Sequence, residues 1–117
     1  YHLKERAIDH AVTPWCATHG VAVVAYSPFG HNDFPTAARA GGKLLQKIAD
    51  QHKATPRQIA LAFLARETPV FPIPKASSAE HAAENAAAGT LALSEAEIAA
   101  LDAAFPRGAR PRSLPML

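Results

Sequence analysis

Apolar positions along the chain follow two kinds of pattern. Residues 21–26 (Val-Ala-Val-Val-Ala-Tyr) and 70–73 (Val-Phe-Pro-Ile) are short runs with hardly a polar residue. Such runs predict strands covered on both faces, as in a parallel sheet. Pro69, Pro72 and Pro74 restrict the ladder bonds of the second run. Elsewhere the apolar residues recur at helical spacing. Leu44, Leu45 and Ile48 share one face of a helix predicted over 43–52. Ile59, Leu61, Phe63 and Leu64 make the next helix apolar nearly all round, and therefore heavily buried. Ile98, Leu101 and Phe105 mark a last one.

Local signals set the ends of these elements. Thr13-Pro14 and Thr55-Pro56 each read as a capping residue followed by proline at the first helical position, where a missing N–H costs nothing. Gly20 closes the helix over 14–19 as a left-handed C-terminal residue. Ser77 with Glu80, and Ser94 with Glu97, have the spacing of capping boxes. The first would open an alanine-rich helix ended by Gly89, and a further helical turn is expected over 4–10. Residues 27–41 form a loop, and 106–117, with Arg107, Arg110 and Arg112 among prolines, an extended tail.

Strand, loop, helices, strand, helix is the order of a parallel α/β sheet. Two strands alone make no stable sheet, and both runs expect strand neighbours that the chain does not supply. An eight-stranded barrel takes about 250 residues, so 117 residues provide at most its last third or so. The chain opens on Tyr1 and its only methionine is Met116, which also suggests a fragment.

Composition narrows the class. At 49% hydrophobic and 19% charged, with net charge +2, the chain reads as globular, and nothing in it demands a nucleic-acid partner. The single cysteine, Cys16, excludes a disulfide framework and suits a reducing cytoplasm; beside Trp15 it reads as inert core. No apolar run approaches the roughly 20 residues of a membrane span. His2, His10, His19, His31, His52 and His81 show no metal-ligand spacing.

In parallel α/β proteins chemistry gathers beyond the C-terminal strand ends. Two segments lie there: Tyr26-Ser27-Pro28-Phe29-Gly30, and Ile73-Pro74-Lys75-Ala76-Ser77-Ser78 running into a helix N-terminus. The second could bind an anion through Lys75, the serine hydroxyls and free N–H groups. The plain alternative is that Ser77 only caps and Lys75 is solvated. For Tyr26 the plain alternative is an aromatic core residue.

YSPFG after a buried strand, IPKASSAEHAAEN entering a helix, the opening YHLKER and the run WCATHGVAVVAYSP together resemble the aldo-keto reductase superfamily, bacterial members above all. The resemblance covers essentially all 117 residues and implies the C-terminal part of a (β/α)8 barrel that binds NADPH. It implies that Tyr26 stacks on the nicotinamide and that Ser27, Phe29 and Gly30 lie along the pyrophosphate. Lys75 would meet the 2′-phosphate with Ser77 nearby, and Glu84 and Asn85 would lie at the adenine end, Asn85 bonding the base. Two positions depart from the pattern: Ala76 replaces a frequent serine, and His81 stands where an arginine often clamps the 2′-phosphate. A neutral imidazole lacks the arginine fork, so NADPH is expected while NADH stays open.

The family's catalytic aspartate, tyrosine, lysine and histidine belong to earlier strands, so no catalytic residue is expected in this chain. The parent is expected to reduce aldehydes or ketones in the cytoplasm, and the chain alone to be inactive. Tail residues help shape the substrate pocket in the family, which Arg110, Arg112 and Leu114 could do. The alternative is a non-catalytic nucleotide-binding or structural fragment that self-associates through open strand edges, and a regulatory relative without catalysis is a third reading.

Overall fold

The structure is a computed structural model that describes residues 1–114; the last three positions of the expected tail lie outside the described residues. A 3₁₀ turn, Ala7–His10, leads into α1 (Val12–His19), β1 (Val23–Ala25), α2 (Ala40–His52), α3 (Pro56–Leu64), β2 (Val70–Pro72), α4 (Ala79–Ala87) and α5 (Glu95–Ala104). A second 3₁₀ turn, Ala88–Thr90, follows α4. β1 and β2 pair in parallel, with Val23 opposite Val70, Val24 opposite Phe71 and Ala25 opposite Pro72. The pairing continues one step further where Ile73 N–H donates to the Ala25 carbonyl at 2.9 Å.

Both strands are shorter than the apolar runs that encode them. Val21 is diverted because its N–H donates to the Cys16 carbonyl, closing the end of α1 around left-handed Gly20 (φ 66°). The strands are also covered on one face only. Ala25 and Val70 are buried, whereas Val24 and Phe71 are 62% and 55% exposed. Tyr26 and Ile73, two residues further along each chain, extend the same exposed side.

The core lies among the helices. Ile59, Ala60, Phe63 and Leu64 of α3 pack with Leu45, Ile48 and Ala49 of α2 and with Leu101 and Phe105 at the end of the chain. The expected all-round burial of α3 is thus met, and Cys16 is buried as expected. α2 begins at Ala40, earlier than its apolar pattern, because Gly41 and Gly42 permit close approach. A Cβ on Gly41 would stand 2.7 Å from the Phe105 ring, and one on Gly42 would collide with the Thr36 backbone.

Three expected helix ends are corrected. α1 starts at Val12 without a side-chain cap; Thr13 is buried inside it, and Pro14 still falls in the first turn, where no N–H is needed. Ser78, not Ser77, caps α4, accepting from His81 N–H at 3.1 Å. Gly89 does not end α4, which stops at Ala87 in right-handed backbone and tightens into the 3₁₀ turn. The caps at Thr55 and Ser94 stand as expected, and at Thr55 the reciprocal partner is Gln58.

The first residues are fastened to the last helix by Arg6. Its buried guanidinium donates to Asp9 at 3.0 Å and to the Phe105 carbonyl at 2.7 Å, and pairs with Asp102 at 2.8 Å. The Tyr1 hydroxyl donates to Asp9 at 3.1 Å, and burial together with that carboxylate pushes the phenol up to about 12.

Across the molecule, Glu97 receives the Ser94 N–H at 2.7 Å and meets His52 Nε2 at 2.9 Å. The Ser94 N–H first, and His52 after it, hold the Glu97 carboxyl below 4.5. A depressed carboxyl contributes stability that is complete above its unfolded value and is lost as pH falls through the folded one. Glu97→Gln should therefore be less stable than the native protein above pH 4.5 and converge with it in more acidic solution. Urea unfolding between about pH 3 and about pH 7 checks this, and a gap independent of pH would refute it.

Candidate functional site

Because β1 and β2 run parallel, the segments that leave them emerge at the same end of the sheet. The segment after β1 turns at once. Ser27 and Gly30 both adopt positive φ, 52° and 72°, and Gly30 N–H donates to the Ser27 carbonyl at 2.9 Å. That bond occupies the Gly30 donor within the turn. Asp33 braces the turn by accepting from His31 N–H at 3.1 Å and pairing with Lys4 at 3.4 Å. Burial would raise the Asp33 carboxyl, but Lys4 outweighs it and holds the group below its ordinary value.

The expected site residues fall into two hollows. The first, about 300 Å³, is lined by Tyr26 and Ser27 together with Val24, Tyr1, His2 and Leu114. Leu114 of the tail therefore does reach the Tyr26 side of the strand end, whereas Arg110 and Arg112 do not line this hollow. Tyr26 is 49% exposed, on the side of the sheet that no helix covers among the described residues.

The second hollow, about 250 Å³, brings together Phe29, Lys75, His81, Glu84 and Asn85, and adds Arg57 from the first turn of α3. Lys75 enters it from the segment after β2, and α4 supplies the other three from successive turns of one side. Gln58 locks the two helices beside it: its side-chain carbonyl accepts from Thr55 N–H, and its amide donates to the Glu84 carbonyl, both at 2.9 Å. Ser77 is exposed next to the capping Ser78 and does not line the hollow. Arg57 was not reached by sequence reasoning. The available signal was a cation in a helix's first turn, where the macrodipole disfavours it.

The donor set suits a phosphorylated ligand with an aromatic base. Cationic side chains, an imidazole and an amide face one hollow, and a half-exposed aromatic ring stands beside the other. Among the described residues no group of three His, Cys, Asp or Glu is placed to hold a metal, and no helix is long and apolar enough to cross a membrane.

Among the described residues, two parallel strands and five helices form an α/β arrangement that matches solved aldo-keto reductase barrels. The crystal structure of an aldo-keto reductase from Klebsiella pneumoniae in complex with NADPH superposes with a TM-score of 0.86 at 34% identity, covering 100% of this chain and 41% of that one. Residues 1–105 match the model of the aldo/keto reductase family, and the chain belongs to that family. It is 35% identical over 106 residues to methylglyoxal reductase YeaE of Escherichia coli, across 91% of this chain and 37% of that protein. It is 36% identical over 103 residues to pyridoxine 4-dehydrogenase of the same species, across 87% of this chain and 34% of that protein. The chain thus spans about a third of the length of these curated relatives.

The two serines at the α4 entrance separate by substitution. Ser78→Ala should destabilise the protein by about 1 kcal/mol through loss of the cap, and Ser77→Ala by no more than about 0.5 kcal/mol. Denaturant midpoints of the two variants measure the difference, and equal losses would contradict the assignment of the cap.

Proposed function

We propose that this chain is the C-terminal, cofactor-holding part of a (β/α)8 aldo-keto reductase that reduces aldehydes or ketones with NADPH. The observation that carries the reading is the parallel pairing, which puts the YSPFG and IPKASS segments at one strand end, in a chain that belongs to this family. Tyr26 would hold the nicotinamide ring against its own, at the mouth of the hollow that Leu114 also lines. Ser27 and Phe29 would follow the pyrophosphate, with Gly30 shaping the turn between them and Asp33. Lys75 would neutralise the 2′-phosphate, and Glu84 and Asn85 would bound the adenine, the Asn85 amide bonding the base. The bound cofactor supplies hydride to the substrate carbonyl, and the protein supplies position and charge.

The protonating group is assigned outside this chain. Tyr1, one of its two tyrosines, lines the same hollow as Tyr26, but its hydroxyl is engaged with Asp9, and Tyr26 has the cofactor role. On this reading the 117-residue chain alone turns over no carbonyl substrate, whereas the intact protein reduces aldehydes or ketones, methylglyoxal being the first to assay because a 35% identical relative is a methylglyoxal reductase.

Titration of the intact protein with NADPH, followed by cofactor fluorescence, tests the reading. Binding in the micromolar range is expected, weakened about tenfold by Lys75→Ala through loss of a charge-assisted contact. Absence of NADPH binding, together with absence of NADPH-dependent carbonyl reduction, would overturn it.

A further inference from the structure

We propose that Arg57 is the residue that discriminates for the 2′-phosphate, supplying from the start of α3 the guanidinium that His81 does not supply from α4. The inference rests on the cofactor reading above and deepens it.

Arg57 is the second helical residue after the Thr55 cap, directly behind Pro56. The first turn of α3 holds no acidic residue, and the helix's own dipole opposes a cation there. The placement therefore contributes nothing to α3 by itself. The side chain is exposed, yet its guanidinium carbon lies 5.4 Å from the Phe29 ring centre and 5.3 Å from that of Phe34. These two rings meet edge to face with centroids 5.8 Å apart. Attraction of a cation to an aromatic ring uses none of the guanidinium's five N–H donors. Among the described residues no carboxylate or carbonyl takes a hydrogen bond from those donors, and Glu84, which shares the hollow, forms no ion pair with Arg57.

A planar fork with free donors is thus presented to the same 250 Å³ hollow as Lys75 and His81. Lys75 offers a point charge, whereas bidentate recognition of a phosphate requires the fork. His81 offers an imidazole, which has no such fork, and its backbone N–H is taken by the Ser78 cap. Phe29 also belongs to the loop assigned to the pyrophosphate, so one aromatic contact places the guanidinium beside the rest of the ligand. The Gln58 bridge to the Glu84 carbonyl keeps α3 and α4 at a constant separation across the hollow.

The test compares NADPH with NADH on the intact protein, since the two differ only in the 2′-phosphate. Native protein should bind NADPH more tightly. Arg57→Ala should lower NADPH affinity about tenfold or more and leave NADH affinity within about twofold. Arg57→Lys should fall between, keeping charge without the fork. In the Arg57→Ala background, His81→Arg should restore the preference by returning a guanidinium to the hollow from the other helix. An unchanged NADPH-to-NADH ratio in Arg57→Ala would overturn the inference and leave the cofactor reading standing. So would an equal loss for both dinucleotides, which would place Arg57 on the pyrophosphate or the base. Failure of the native protein to bind either dinucleotide would overturn both readings.

Discussion

Parallel pairing of β1 and β2 is the constraint on which the rest of the molecule turns, although it consists of three residue pairs. Antiparallel pairing of the same strands would send the segments after Ala25 and Pro72 to opposite ends, and no common hollow could form. So short a ladder does not set its own direction. Parallel strands need a long crossover, and here α2 and α3 provide it. The helices in turn are fixed by burial of Leu45, Ile48, Ile59, Phe63, Leu64 and Leu101, all at most 2% exposed. Direction at the sheet is thus a consequence of helix packing, and the site's geometry follows from direction.

A second tie holds the ends of the chain to that core. Arg6 is 3% exposed, and removing a guanidinium from water is costly unless every donor finds a partner. Asp9, Asp102 and the Phe105 carbonyl supply them, and the Phe63 ring lies 5.0 Å below. Arg66 doubles the arrangement, 4.0 Å from the same ring and within 3.8 Å of both carboxylates. The cluster therefore spans the opening turn, α3 and α5, and holds the helical layer together on the side away from Phe29 and Lys75. Spacing marks only its pair with Asp9 three residues on, because the other partners lie up to 99 residues away.

What could be read from the sequence divides along the same line between local and distant. The Thr55 and Ser94 caps, the left-handed Gly20 and the apolar α3 are each determined within a few residues, and each stands in the structure. The α4 entrance has two adjacent serines, and the residue whose backbone is extended as the chain leaves β2, Ser78 at φ −137° and ψ 157°, becomes the cap. Spacing to Glu80 favoured Ser77, but spacing carries no information on that exit path. At the candidate site the same limit applies. Lys75, His81, Glu84 and Asn85 come from one continuous motif and arrive together with Phe29. Arg57 joins them only through the packing of α3 against α4, which no motif encodes.

The exposed side of the sheet gives the last step. Val24, Tyr26, Phe71 and Ile73 stand together on it, between 49% and 62% exposed, while the opposite side is sealed by helices. Fully apolar strands are selected where both faces are covered, so the composition of β1 and β2 implies a second covering layer. Tyr26 makes the implication specific. Its ring ends a row of aliphatic residues yet lines a hollow with polar neighbours, His2 and Ser27. In a closed barrel that row would fill the interior, and the ring at its end would form the floor of the ligand site. A layer over that face would complete the fold, while the hollow at its end stays open beside Tyr26. The same strand serves both because side chains alternate along it and the chain turns sharply at Ser27.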